Sequence, residues 1–401
     1  MSVRAREAIS VLTFLPLYLL FFLIGTETFL VSPLLPSIAK DFREDVSMVA
    51  HTVTSYVLVY ALFAPWLGNL SDRVGRKMFI VVGAVIFCFG NILASISTGV
   101  WFLIVARAIA GLGGAMAGPA MWAYISDETD QLMRGRAIGY GMAAFSLGQV
   151  VGVPLGSFIA GFSRWNWAFG LIGISVSMVS IYLFFRFRPL ITFSNEQDGK
   201  KLLAVFEIFR NKTVVQVLAI TFFFQAANLG AYTYLGSLLG DRYQIPTEWL
   251  GLTGVMVGVG SFLGSLIGGK LADYWRRKDW REERLVAVWS LVLGTSILGV
   301  TVVSVLWLVF LSLALWFLAS GAFVTAQQTL LTIIAPKQRA ASISWNNSVM
   351  YAGTAIGVWI MGLTWNQAVN IGWISLAFSI FSALFASLIN SRQLSSSSRR
   401  R

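Results

Sequence analysis

The stretch Gly68-Asn69-Leu70-Ser71-Asp72-Arg73-Val74-Gly75-Arg76-Lys77 returns 201 residues later as Gly269-Lys270-Leu271-Ala272-Asp273-Tyr274-Trp275-Arg276-Arg277-Lys278. Gly, Leu, Asp, Arg and Lys recur at matching positions, and the same offset carries Gly152 onto Gly353 and Gly156 onto Gly357. A long period repeated once marks a chain built from two copies of one unit. Each polar stretch joins two apolar runs, and equivalent positions fall on the same side of a membrane. The two halves are therefore expected to form a parallel repeat about an axis along the membrane normal. Such a repeat predicts a mid-membrane cavity between the halves, opened to alternate sides by rocking.

The regions around these stretches are strongly apolar. Of 401 residues, 57% are hydrophobic and 12% charged, with a mean hydropathy of +0.73. A soluble fold cannot cover that much apolar surface, and a disordered chain needs low hydrophobicity. A soluble enzyme is excluded on composition alone. Apolar runs bounded by charges or turn residues fall at 12–36, 47–69, 77–97, 99–123, 137–160, 166–187, 213–237, 249–271, 284–304, 305–328, 341–363 and 369–390. Each is near the ~20 residues that a helical span needs and about twice a barrel strand's length. Only helices satisfy every backbone group in lipid without closing a barrel. The expected fold is an all-α membrane protein of twelve transmembrane helices in two pseudo-symmetric six-helix halves. The domains are expected at 1–186 and 213–390, with a central cytoplasmic loop at 187–212 and a cytoplasmic tail at 391–401. That loop carries Ser194 to Gly199, and the tail ends in a Ser/Arg run, Ser395 to Arg401, to which no function is assigned. The N-terminus, with Arg4 and Arg6, reads as the start of the first span, because its apolar stretch is too long for a signal peptide.

The net charge of +12 comes from 30 Lys and Arg against 18 Asp and Glu. Sorted by loop with the N-terminus inside, 25 basic residues fall on one side and four on the other, Lys40, Arg43, Arg164 and Arg242. Basic residues collect on cytoplasmic loops, so both termini are expected in the cytoplasm of a cell or inner membrane. The charge is an orientation signal, and no nucleic acid partner is expected. One cysteine, Cys88, and one histidine, His51, exclude an intrachain disulfide and a His/Cys metal cluster. No Gly-Lys-Ser/Thr phosphate loop is present. No metal or cofactor is expected, and a proton gradient is the expected energy source.

The Gly68 to Lys77 segment resembles the signature loop between helices 2 and 3 of the major facilitator superfamily, and the resemblance covers nearly the whole chain. A basic turn by itself predicts the cations but neither the Asp nor the glycines. Gly68 and Gly75 would allow close approach and a tight turn, Asp72 would favour the N-terminus of a following helix, and Arg76 and Lys77 would hold the surface. In the second copy, Gly269, Asp273, Arg277 and Lys278 match, while Arg276 stands where a Gly is expected. The resemblance implies a charge relay from Arg76 to Asp127 at the end of the fourth helix, which would bias alternating access if made in one conformation only. An ordinary helix-end carboxylate is the alternative for Asp127.

Away from the span ends, two charges lie inside spans, Glu27 and Arg107. Burying either costs ~2.5–3.5 kcal/mol even on insertion scales, which makes each a functional candidate. Arg107, in Leu103 to Gly113, is similar to the family's helix 4 motif, whose Arg is implicated in proton transfer; a structural Arg held by carbonyls is the alternative. Glu27, in Gly25-Thr26-Glu27-Thr28-Phe29-Leu30-Val31-Ser32-Pro33-Leu34-Leu35-Pro36, resembles the first helix of twelve-helix drug and sugar exporters. A carboxylate held away from water exchanges a proton when its surroundings change, so Glu27 is the first candidate for proton coupling. Binding a cationic substrate is its alternative role. Gly148, Gly152, Pro154 and Gly156 resemble the helix 5 motif of antiporters, in a variant similar to arabinose-type and drug-type exporters, with Val153 and Ser157 departing from it. Close helix packing alone would also explain the small residues. Tyr56, Tyr60, Gln149, Gln225, Asn228, Gln327, Gln328, Asn346 and Asn347 are candidates for a cavity wall, with interhelical hydrogen bonding as the competing role. Trp165 and Trp167 read as an aromatic belt.

The expected activity is proton-coupled export of a small amphipathic or polar molecule, a drug or a sugar-like compound, by alternating access and by a monomer in the bilayer. A proton symporter importing a sugar or other nutrient is the alternative. A membrane enzyme or non-transporting sensor is disfavoured, because no paired acids, nucleophile with base, or metal cluster lies in the spans.

Overall fold

The computed structural model describes residues 3–129, 133–187, 207–278, 280–334 and 339–389. Most of the expected central loop, including Ser194 to Gly199, lies outside the described residues, as does the tail with its Ser395 to Arg401 run. The described residues fold into twelve long helices and no strands. They are α1 Val3–Phe42, α2 Val46–Val74, α3 Arg76–Ser95, α4 Val100–Glu128, α5 Arg134–Phe162, α6 Trp165–Phe187, α7 Lys212–Tyr243, α8 Thr247–Arg277, α9 Glu282–Val302, α10 Leu306–Ile334, α11 Arg339–Gly362 and α12 Ala368–Leu388. A short 3-10 turn, Glu207–Arg210, precedes α7. Each apolar run of the sequence returns as one of these helices. The helices overrun the runs, because backbone hydrogen bonding continues into polar ends such as Asp72 and Arg276 where side chains reach water.

Eleven of the twelve are long and apolar enough to cross a membrane. The remaining helix, α11, carries Ser342, Ser344, Asn346, Asn347 and Ser348 in its first half, which dilutes its apolar character. Large apolar side chains such as Phe162, Phe185, Trp101 and Leu388 stand exposed on the outside of the helices. Aqueous solvent would penalise that surface, whereas lipid accepts it. The protein is a multi-pass membrane protein.

Two compact units divide the described chain, one of Met1–Gln197 with Leu239–Val255 and one of Asp198–Leu238 with Met256–Arg401. Within the first unit, α4 presents glycines to α2 and α3. A Cβ at Gly113 would strike the Phe87 backbone, and one at Gly118 would lie 2.8 Å from the Tyr60 hydroxyl. Such small-residue faces give helices their van der Waals contact where lipid removes the hydrophobic drive. The end of α7 and the start of α8 also belong to this unit. There the Ser37 and Thr247 hydroxyls lie 2.7 Å apart, and Gly254 packs on the Gln149 carbonyl and Val153.

The two repeat stretches turn differently. Between α2 and α3 a single residue, Gly75, makes the turn at φ 121°, a conformation that side chains resist. In the second copy the helix runs through Arg276 to Arg277, and the next helix begins only at Glu282. The Trp280 N–H there donates to the Trp275 carbonyl at 2.9 Å. Replacing the glycine thus lengthens the loop instead of straining it.

Candidate functional site

In the first unit, Glu27 of α1 and Arg107 of α4 form an ion pair between Arg107 Nη1 and Glu27 Oε1, with side-chain exposures of 0% and 2%. The Arg107 guanidinium lies over the Tyr56 ring of α2, 4.5 Å from its centroid, and 5.6 Å from that of Phe169 in α6. One turn beyond Arg107, Gly111 lets the α2 backbone at Tyr56 come into contact with α4. Four helices therefore close around the pair. An isolated charge at this depth would cost several kcal/mol, and the opposite charge with two ring faces offsets that cost.

The fifth helix is built around the same turn of α1. Its middle, Gly148–Gly152, is a π-helical turn, followed by Pro154 in the next regular turn. Proline lacks the N–H that would bond to the carbonyl four residues back, and a widened turn absorbs that loss. Gly148 faces Phe22 and Thr26 of α1, Gly152 faces Thr26, and Gly156 faces Leu30, 2.6 Å from any added Cβ. The Thr26 hydroxyl lies 2.9 Å from the Phe22 carbonyl and 3.1 Å from that of Gly148. The residue beside Glu27 is thus tied to the irregular turn of α5. Gln149 is buried in that turn.

Four polar candidates of the second unit, Gln225, Asn228, Gln327 and Asn346, fall into two buried networks, whereas Gln328 and Asn347 join neither. Gln327 of α10 donates through Nε2 to Asn346 Oδ1 of α11 and Thr221 Oγ1 of α7, both at 2.7 Å, and Thr221 donates to Asn346 at 2.8 Å. Asn228 of α7 donates to Gln225 Oε1 at 3.1 Å and Ser320 Oγ at 2.9 Å, and accepts from the Trp316 indole at 2.8 Å. The Phe224 and Phe323 rings stack between α7 and α10. At the repeat offset, Asn228 is the counterpart of Glu27, and Gly353 and Gly357 of α11 pack on Phe222 and Ala226 of α7 much as Gly152 and Gly156 pack on α1. One helix arrangement holds a charged pair in the first unit and a neutral network in the second.

At the start of α3, Arg76 pairs with Asp127 and, at 2.9 Å, with Asp72, and donates to the Ala123 carbonyl at 2.8 Å. Lys77 lies 5.8 Å from the Tyr124 ring centroid. Gly68 sits opposite Pro119 of α4. In the second copy, Asp273 pairs with Arg276 at 3.3 Å, Gly269 lies near Thr325, and Arg277 and Lys278 are exposed with no acceptor among the described residues. The counterpart of Asp127 is Gln328, which is exposed and uncharged.

Tyr56 and Tyr60 are packed against the glycine face of α4, and Trp165 is buried, its indole donating to Asp41 at 2.9 Å. Sequence reasoning missed Thr26, Phe169, Thr221, Trp316 and Ser320. Thr221 stands four residues before Gln225, on the same helix face, which is the signal that would have found it. Trp316 sits in an unbroken apolar run and offers none. Among the described residues no group of three or more His, Cys, Asp or Glu is placed to hold a metal.

The family model described as Major Facilitator Superfamily matches residues 17–358. An uncharacterised MFS-type transporter of Bacillus subtilis (strain 168), YceJ, is 28% identical over 359 residues, covering 88% of each chain. The class H tetracycline resistance protein of Pasteurella multocida is 27% identical over 257 residues, 62% of this chain and 64% of that protein. The crystal structure of a bacterial homologue of the human lysosomal transporter Spinster, inward-facing and occupied, superposes with a TM-score of 0.77 at 16% identity over 98% of both chains. The likeness in structure supports the fold, and the family match over most of the chain settles its kinship: this chain belongs to the major facilitator superfamily, as a transporter and not an enzyme.

Proposed function

We propose that this transporter exports a small amphipathic or polar molecule in exchange for protons, with Glu27 carrying the proton and Arg107 responding to it. The buried Glu27–Arg107 pair carries the reading. Adding a proton to the carboxylate removes the negative charge and leaves Arg107, among the described residues, with the ring faces of Tyr56 and Phe169. Leaving one member of a buried pair uncompensated costs ~3–5 kcal/mol, as much as the few kcal/mol that commonly separate two conformers. Proton uptake therefore shifts the population toward a conformer in which Arg107 finds other compensation, and proton release restores the pair. Thr26 links this event to the π turn of α5, whose glycines resemble a variant of the antiporter motif.

The neutral network around Asn228, Gln225, Gln327 and Asn346 with the Phe224 and Phe323 rings supplies hydrogen-bonding and aromatic surface, which suits an amphipathic substrate. Kinship with a tetracycline resistance protein supports export of a drug-like compound. We place the protein in the inner membrane with both termini in the cytoplasm, following the basic residues. One charge crossing 100 mV is worth ~2.3 kcal/mol, which sustains a gradient of about fifty-fold per proton if exchange is electrogenic.

Inside-out vesicles test this. An acidified lumen should drive substrate accumulation that a protonophore abolishes, and Glu27→Gln, whose amide still accepts from Arg107, should remove that drive in a monodisperse, folded protein. Full coupled flux in Glu27→Gln would move the proton site elsewhere, and uptake confined to right-side-out vesicles would make the protein an importer.

A further inference from the structure

The connection between α8 and α9 borders a cavity that the proton-coupling reading leaves without a role. The cavity, of about 450 Å³, is lined by Trp275, Trp280, Arg281 and Arg284. The two indoles meet edge to face with centroids 5.3 Å apart, and Tyr274 lies edge-on to Trp280 at 6.0 Å. Arg281 is fixed as one wall, its Nε donating to Glu283 Oε1 at 2.8 Å and its Nη2 to the Ile389 carbonyl just beyond α12. Arg284 is different: it is exposed and has no acceptor among the described residues. Arg277 and Lys278, at the same turn, are also exposed without an acceptor there. The Glu283 carboxylate is fully buried and held by Arg281.

From this we infer that the α8–α9 pocket binds the phosphate headgroup of an anionic membrane lipid. Among the described residues Arg284 lines the cavity without an acceptor, and such a guanidinium asks for an anion, since guanidinium groups match phosphate oxygens through paired N–H donors. Water-soluble phosphate would need only the cations. The paired tryptophans favour a ligand with an apolar body as well, because amphipathic indoles settle at the headgroup level of a bilayer. The loop joins the ends of two membrane-crossing helices and touches the end of a third, which places it at that level. The pocket is specific to the second half. The turn of the first half is the single residue Gly75, which leaves no room for such a loop.

Native mass spectrometry of the full chain, delipidated and then titrated with phosphatidylglycerol or phosphatidylcholine, tests the assignment. Wild-type protein should retain phosphatidylglycerol over phosphatidylcholine. Arg284→Gln should weaken phosphatidylglycerol retention on the order of ten-fold, the scale of a charge-assisted hydrogen bond. Arg186→Gln removes an equal charge from the end of α6 and should change retention less than about two-fold. Trp280→Ala should weaken the lipid while leaving Arg284 in place. Unchanged retention in Arg284→Gln, or equal losses in Arg284→Gln and Arg186→Gln, would overturn the proposal. Displacement of the lipid by millimolar inorganic phosphate would also overturn it, because the site would then belong to the free anion.

Discussion

Glu27 and Arg107 lie 80 positions apart in the sequence, yet each is the other's compensating charge. Their mutual dependence gives an asymmetric expectation for stability. Glu27→Leu leaves a buried guanidinium without its partner and should destabilise the protein by about 3–5 kcal/mol. Replacing both, Glu27→Leu with Arg107→Leu, removes two desolvation costs at once and should restore much of the melting temperature in detergent while proton-driven flux stays lost. A double variant as unstable as Glu27→Leu alone would mean that Arg107 is held mainly by other groups. The intramembrane position of both charges was legible in the sequence, because any charge stands out in an apolar run. Their pairing was not, since it depends on how α1 and α4 are rotated about their axes. The same limit explains Tyr56, whose polar tip suggested a cavity wall while its ring lies against Arg107.

Element by element, the apolar runs announced every helix, and their ends were less legible because a helix does not stop where its apolar face does. The motif in α5 was visible as glycines and a proline; its π turn was not, because Pro154 permits a widened turn whose place is also shaped by the contact of Gly148 and Gly152 with Phe22 and Thr26. That fit makes the glycines of one helix unequal. A Cβ at Gly152 collides with the Thr26 side chain beside Glu27, whereas one at Gly139 meets nothing within 4 Å. Gly152→Ala should therefore push α5 from α1, lower the melting temperature and cut flux severely, with overpacking worth about 1–3 kcal/mol. Gly139→Ala should leave both unchanged or gain slightly from the better helix former. Comparing the two by thermal unfolding and by flux separates a packing seam from a general intolerance of α5 to substitution, which would show as equal losses.

Across the whole molecule, the 201-residue repeat preserves backbone packing while the chemistry diverges. Gly152 and Gly156, which seat α5 on α1, recur as Gly353 and Gly357 in α11 against α7, but Glu27 becomes Asn228, and Asp127 becomes Gln328. The divergence at Asp127 is telling because Arg76 is a hub, joined to Asp72, Asp127 and the Ala123 carbonyl, and the second half has no equivalent acid on α10. The size of its effect follows from exposure. Arg76, Asp72 and Asp127 are 24%, 53% and 61% exposed, and solvent-screened pairs of this kind contribute roughly 0–1 kcal/mol. Asp127→Asn should accordingly leave the melting temperature nearly unchanged. If the contact is made in only one conformer, the same ~1 kcal/mol shifts the population between conformers by about five-fold. Flux should then fall by up to that factor, and high salt should erase the difference between Asp127→Asn and wild type by screening the pair in the latter. A loss of flux far beyond five-fold with unchanged stability would assign Asp127 a direct part in binding or proton movement, and no loss at all would reduce the hub to an ordinary surface pairing.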